Sequence, residues 1–124
     1  MDNRDSGKKA EGIVGRACDH LAETWTEVAG HITSRLLDSG GVDRLIILKS
    51  GFAFALQVKT SERGVREHRQ HPDRPWYRYI PVIIISPQEI DRLFANSNIQ
   101  GVAARIKQII LEAYVSVKNS SLPR

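Results

Sequence analysis

The chain has a single cysteine, Cys18, and only short apolar runs. One thiol excludes an internal disulfide and a thiolate metal cluster within one chain, so we expect Cys18 to pack in the core. The longest apolar runs, 45–48 and 80–85, fall far short of the roughly 20 residues that span a bilayer. The N-terminal segment carries charges of both signs with no apolar stretch behind it, unlike a secretory signal. We therefore expect a cytoplasmic protein that does not cross a membrane.

What the chain does contain is an ordinary globular composition. Its 124 residues are 41% hydrophobic and 26% charged, which is too apolar for a chain that stays disordered. The length predicts one domain, which we place at 10–118 between a flexible N-terminus, 1–9, and a flexible tail, 119–124. The net charge of +4 permits a polyanionic partner, but such an excess is also common in proteins that bind none.

Hydrophobic periodicity predicts a helix, three strands, a polar loop, a fourth strand and two further helices. Two of the strands flank Lys49-Ser50-Gly51, a three-residue hairpin loop with glycine where a left-handed conformation is required. Ser86 and Glu89 form a capping box at the start of the second helix. The predicted strands are 31–37, 42–48, 52–60 and 80–85, and the predicted helices are 10–30, 86–95 and 99–117.

Three polar side chains are predicted to converge at the open end of the hairpin. Side chains alternate between the two faces of a strand, so Gln57 and Lys59 share one face. A three-residue loop pairs Leu48 with Phe52, and counting outward from that pair sets Asp43 opposite Gln57. A two- or four-residue loop would separate these polar groups. The rest of this face is apolar and is expected to be buried: Leu45, Ile47, Ala53 and Ala55.

Such a cluster has a chemical explanation and an ordinary one. A carboxylate with amide or backbone oxygens can hold Mg²⁺ or Mn²⁺ while several waters stay bound. A lysine beside the cation can orient an attacking water and offset the charge that builds on a phosphorane-like transition state. In the ordinary explanation, Asp43 is a turn residue, and Gln57 and Lys59 lie at the solvated end of an edge strand.

Two segments resemble the core of the PD-(D/E)xK nuclease superfamily. They are Gly-Val-Asp-Arg-Leu-Ile-Ile at 41–47 and, after the turn, Ala-Leu-Gln-Val-Lys-Thr-Ser at 55–61. The resemblance covers roughly 10–86 and is nearest to small archaeal-type Holliday-junction resolvases and short relatives of them. It implies an α/β fold with a restriction-endonuclease-like αβββαβ core, in which helices flank a central mixed sheet, followed by C-terminal helices.

The resemblance also implies roles for individual residues. Asp43 would be the metal-binding aspartate and Lys59 the catalytic lysine, while Gln57 stands where the family usually has a glutamate or aspartate. Many members add a glutamate from the first helix. Glu11 lies near the apolar stripe of that helix and is preferred to Asp19, which is rotated off it. The implied activity is Mg²⁺- or Mn²⁺-dependent hydrolysis of phosphodiester bonds in DNA.

Gln57 also supports two other hypotheses. An amide oxygen brings no charge to a cation, so the chain could be a catalytically inactive member of the fold that binds nucleic acid or protein. It could also be a purely structural or regulatory subunit. In addition, a C-terminal helix stripe broader than one sheet face can cover would predict a homodimer.

The segment 61–79 is rich in arginine and directly follows Lys59. Guanidinium groups match phosphate oxygens, and these would emerge beside the cation. In the ordinary explanation the segment is a solvated connection whose acidic residues offset its arginines. The expected DNA contacts are Arg63, Arg66, Arg69 and Arg74. The aromatic residues suit base stacking, core packing or a dimer contact: Trp76, Tyr77 and Tyr79. Two histidines are expected at the surface: His68 and His71.

Overall fold

The computed structural model describes residues 3–96 and 98–120, with side chains described for 6–93 and 98–113. The helices are α1 (Asn3–Thr24), α2 (Arg35–Ser39), α3 (Glu62–Arg69), α4 (Pro87–Asn96) and α5 (Gln100–Ser120), and Pro75–Tyr79 forms a 3₁₀ helix. The strands are β1 (Val28–Ile32), β2 (Arg44–Leu48), β3 (Ala53–Lys59) and β4 (Val82–Ile84). No helix in these ranges is long and apolar enough to cross a membrane.

The four strands form one mixed sheet in the order β1-β2-β3-β4. The first three are antiparallel neighbours, and β4 runs parallel to β3. Because a tight turn cannot join parallel strands, the chain crosses over from β3 to β4 through α3 and the 3₁₀ helix. The Ser61 hydroxyl begins α3 by accepting a hydrogen bond from the Gly64 N–H at 3.1 Å. The predicted α/β class, with a mixed sheet flanked by helices, is confirmed.

The hairpin formed by β2 and β3 has the predicted register. Ile47 pairs with Ala53, and the Leu48 N–H donates to the Phe52 carbonyl at 2.8 Å. Gly51 has φ +95°, a conformation in which a side chain would be strained. The three-residue loop is therefore confirmed.

Burial distinguishes a covered face of the sheet from an open one. Helix α1 packs against β1, β3, α4 and α5, and the core on that side includes Ile46, Leu56 and the buried Cys18. We call the opposite side the open face; its apolar side chains are half-buried or exposed: Ile32, Leu45, Ile47, Ala53, Ala55, Val82 and Ile84. The prediction that this side of the hairpin is buried is wrong, because α1 lies against the other side.

The chain between α1 and β2 differs most from the prediction. The predicted strand 31–37 is wrong, because β1 lies earlier and Arg35–Ser39 are helical. The Ser34 hydroxyl accepts a hydrogen bond from the Leu37 N–H at 3.2 Å, a local bond that starts a helix. Helix α1 also spans Asn3–Thr24 rather than 10–30, and a turn that bonds the Val28 N–H to the Trp25 carbonyl follows it. Residues 121–124 of the predicted tail lie outside the described residues.

Candidate metal centre

Asp43 lies at the point where regular pairing of β2 with β3 ends. Its N–H donates to the Leu56 carbonyl at 3.0 Å, and its Oδ2 accepts a hydrogen bond from the Val58 N–H at 2.7 Å. The side chain thus takes over a ladder bond that backbone would otherwise make, and only 8% of Asp43 is exposed. Asp43 thus contacts the residues on both sides of Gln57, at the end of β3.

Two further carboxylates, from Glu11 in α1 and Asp38 in α2, lie beside Asp43. One oxygen from each of the three side chains lies within 4.8 Å of the others. The pKa of Asp43 is raised from 3.8 to about 7; burial is the largest cause, the neighbouring Glu11 and Asp38 contribute to the rise, and the Val58 N–H opposes it. A cation among these oxygens would relieve both the repulsion and the burial penalty. Asp38 is the residue that the sequence analysis missed.

Gln57, between the two β3 residues that Asp43 contacts, supplies a buried oxygen without a partner among the described residues. It is 7% exposed, and its backbone N–H donates to the Pro81 carbonyl at 2.9 Å. Its Oε1 has no hydrogen-bond partner among the described residues. Buried amide oxygens are normally paired, so this oxygen is free to bind a ligand. Carboxylate and amide oxygens are the donors that Mg²⁺ and Mn²⁺ prefer, and the residues present therefore fit such a cation.

Lys59 lies on the same side of β3 as Gln57 and is half-buried. Its aliphatic part lies against α3, where a Cβ on Gly64 would be 3.6 Å from Lys59 Cδ. Among the described residues Lys59 forms no ion pair. Its charge contributes, after burial, to lowering the pKa of His68 from 6.5 to about 4. The lysine therefore remains available to a ligand at this end of the sheet.

A stack of rings supports the turn between Asp38 and Asp43. The His68 and Tyr77 rings stack with centroids 4.1 Å apart, and both residues are buried. Tyr77 in turn covers Gly41, whose φ is +87° and where a Cβ would overlap the tyrosine ring. The prediction that His68 is a surface residue is wrong, because α3 turns it inward; His71 is exposed as expected. Core packing, one of the alternatives for Tyr77, is the observed one.

The same turn is held by two donors from the segment around the 3₁₀ helix. The Arg74 guanidinium donates to the Ser39 carbonyl and, at 2.7 Å, to the Tyr77 hydroxyl. The Trp76 Nε1–H donates to the Gly40 carbonyl at 3.1 Å. Arg74, expected as a phosphate contact, is thus engaged inside the protein. We call Arg74, Trp76 and Tyr77 the turn clamp.

The other predicted arginines lie on the surface of α3. Arg63 forms an exposed ion pair with Glu67 at 3.0 Å. Arg66 and Arg69 are exposed and line a cavity of about 310 Å³ between α3 and β4. Of the two acids proposed in the first helix, only Glu11 joins Asp43, since Asp19 instead pairs with His31 at 2.6 Å.

Comparisons of the chain with protein families, with curated proteins and with solved structures found no match.

Proposed function

We propose that this protein is a metal-dependent phosphodiesterase acting on DNA, with a site of the PD-(D/E)xK nuclease type. The observation that carries the proposal is the gathering of the Asp43 and Glu11 carboxylates at the end of β3 that also carries the buried, unpartnered oxygen of Gln57 and the side chain of Lys59. The order of α1, β1, β2, β3, α3 and β4 supports it, because it matches the αβββαβ core with only the short α2 and the 3₁₀ helix inserted.

Each residue has a distinct task in this mechanism. A bound Mg²⁺ or Mn²⁺ supplies Lewis-acid polarisation of the phosphate and activation of water. Asp43 and Glu11 would hold the cation through charged oxygens, and Gln57 would add a neutral oxygen. The Lys59 amine orients the attacking water and stabilises charge on the phosphoryl oxygens in the transition state. The exposed Arg66 and Arg69 contact flanking phosphates.

The test is cleavage of supercoiled, linear, single-stranded and four-way-junction DNA with Mg²⁺ or Mn²⁺. We expect wild-type protein to cut and both Asp43→Ala and Lys59→Ala to lose the activity. Asp19→Ala, which removes an acid of the same helix outside the site, should cut like wild type. Cutting that survives both site substitutions would come from a contaminating nuclease and would overturn the proposal, as would the absence of cutting in every assay.

A DNA-binding module without catalysis is the second candidate, and the neutral side chain of Gln57 favours it. This hypothesis predicts DNA affinity that depends on salt but is unchanged by EDTA. Arg66→Ala and Arg69→Ala should each weaken binding and reduce the salt slope by about one. Arg78→Ala is a suitable control, since the Arg78 guanidinium lies over Tyr79 on a different segment. DNA binding without cation binding would favour this candidate over the enzyme.

A further inference from the structure

We propose that Asp38 is a ligand of the same cation and supplies the negative charge that Gln57 does not provide. The inference rests on the proposed function, because it concerns the cation of that site. It changes the ligand set: the charged oxygens come from Glu11, Asp38 and Asp43, and position 57 contributes a neutral oxygen.

The first argument is geometric. An oxygen of Asp38 lies within 4.8 Å of an oxygen of both Glu11 and Asp43, a spacing that a single hard cation can bridge. The side chain of Gln57, which is 7% exposed and has an unpaired Oε1 within the described structure, lies between the two β3 residues that Asp43 contacts. A buried acceptor left unpaired on the strand segment that Asp43 contacts points to a ligand at this end of the sheet, in addition to the cluster of acids.

The second argument is charge. Cation affinity in oxygen sites depends on how many charged ligands surround the ion. With Glu11 and Asp43 alone the site would carry two charges and one neutral amide. Asp38, which precedes Asp43 in the chain by one short turn, adds a third charge to the site.

The third argument is that the Asp38 turn is held in place. The Asp38 carbonyl accepts a hydrogen bond from the Gly41 N–H at 3.0 Å. The turn clamp then binds the next two carbonyls, those of Ser39 and Gly40, from a segment distant in sequence. An exposed aspartate next to two other acids would otherwise move away from them. The clamp keeps Asp38 at the site before any cation arrives, which is the preorganisation that a ligand needs.

The test is Mn²⁺ binding to the full chain, measured by titration calorimetry in the absence of DNA. We expect Asp38→Asn to weaken Mn²⁺ binding by about tenfold or more. The double variant Asp38→Asn with Gln57→Glu returns the third charge at the other position, and it should regain affinity to within about threefold of wild type. Asp91→Asn, an exposed acid on α4, is the matched control and should bind like wild type. Circular dichroism confirms that each variant is folded.

The outcomes separate this inference from the proposed function. Wild-type Mn²⁺ affinity in Asp38→Asn, together with loss of binding in Asp43→Asn, would overturn the role of Asp38 and leave the nuclease proposal standing. If Asp38→Asn loses Mn²⁺ binding and the added Gln57→Glu does not recover it, the inference that Asp38 supplies the charge missing at position 57 is overturned. If the wild-type protein binds no Mn²⁺, both proposals fail.

Discussion

The Asp43 carboxyl group is held by a structural hydrogen bond, yet its surroundings disfavour its ionised form. Its hydrogen bond from the Val58 N–H fastens β2 to β3, yet the group is buried beside two other acids. Burial accordingly raises its pKa to about 7. The residue is therefore expected to destabilise the cation-free protein whenever it is ionised.

Replacing this aspartate with its neutral isostere should stabilise the protein at high pH. The folded-state pKa of Asp43 lies above the unfolded value of 3.8, so the folded protein retains a proton that the unfolded chain has lost. The contribution of Asp43 to stability therefore falls as pH rises from about 4 to 7, and Asp43→Asn avoids this loss. Urea unfolding in EDTA at pH 8 should show a gain on the order of 2 kcal/mol, vanishing near pH 4. Equal stabilities at pH 8 would contradict this explanation.

His68 predicts the opposite dependence in the acidic range. Burial, with the nearby charge of Lys59, lowers its pKa from 6.5 to about 4. Between these two pKa values the unfolded chain binds a proton at His68 that the folded protein does not bind. The contribution of His68 to stability therefore falls as pH drops from 6.5 to 4, by roughly 1 kcal/mol per pH unit. His68→Phe keeps a ring on Tyr77 and should remove this contribution, leaving the opposite contribution of Asp43 over the same pH range. The exposed His71→Phe should change the profile only slightly, because His71 is the smallest of the causes that lower the pKa of His68.

Among the elements, the hairpin was predictable and the turn before it was not. Loop length and Gly51 determine the register of β2 on β3, and both can be read from neighbouring residues. The segment after α1 was misassigned because its β-branched residues favour a strand, whereas the cap at Ser34 starts α2. Asp38 appeared to be an ordinary turn residue, since its role depends on a long-range approach to Glu11.

The same distinction holds for the site. Asp43 and Gln57 were proposed from strand alternation, a local rule, and Glu11 from the family resemblance together with helical periodicity. Arg74 and His68 were misjudged because a charged, polar segment predicts a solvated loop. Their actual contacts, to Ser39 and Tyr77, arise from the crossover between β3 and β4. Contacts between residues that are distant in sequence are therefore the ones that the sequence did not predict.

The turn clamp predicts a difference between two glycines with similar backbone conformations. Gly41 and Gly51 have φ values of +87° and +95°, so alanine should strain both, by about 1 kcal/mol. Only at Gly41 would the new Cβ also overlap Tyr77, whereas nothing lies within 4 Å at Gly51. Gly41→Ala should therefore lower the free energy of unfolding clearly more than Gly51→Ala and weaken Mn²⁺ binding. Equal losses of unfolding free energy in the two variants would show that the Tyr77 ring moves aside at little cost, and would contradict this prediction.

At the scale of the whole molecule, the two faces of the sheet differ in how much they contribute to stability. Ile46 and Ile47 are adjacent on β2, but Ile46 is 1% exposed on the covered face and Ile47 is half-buried on the open face. Ile46→Ala should cost about 2–5 kcal/mol of unfolding free energy, and Ile47→Ala about 1 kcal/mol. Urea unfolding at several protein concentrations measures both. Equal losses would contradict the exposure of the open face in solution.

The residues of the candidate centre are expected to come together at different stages of folding. Asp38, Asp43 and Gln57 belong to one continuous segment closed by a short hairpin, so their contacts need little loop-closure entropy and can form early. Glu11 arrives only when α1 docks, a step that joins distant parts of the chain. Repulsion between Glu11 and the other two acids therefore acts late, and we expect Asp43→Asn to slow unfolding more than it speeds refolding. A bound cation would act on the same limb of the kinetics and lengthen the life of the folded state.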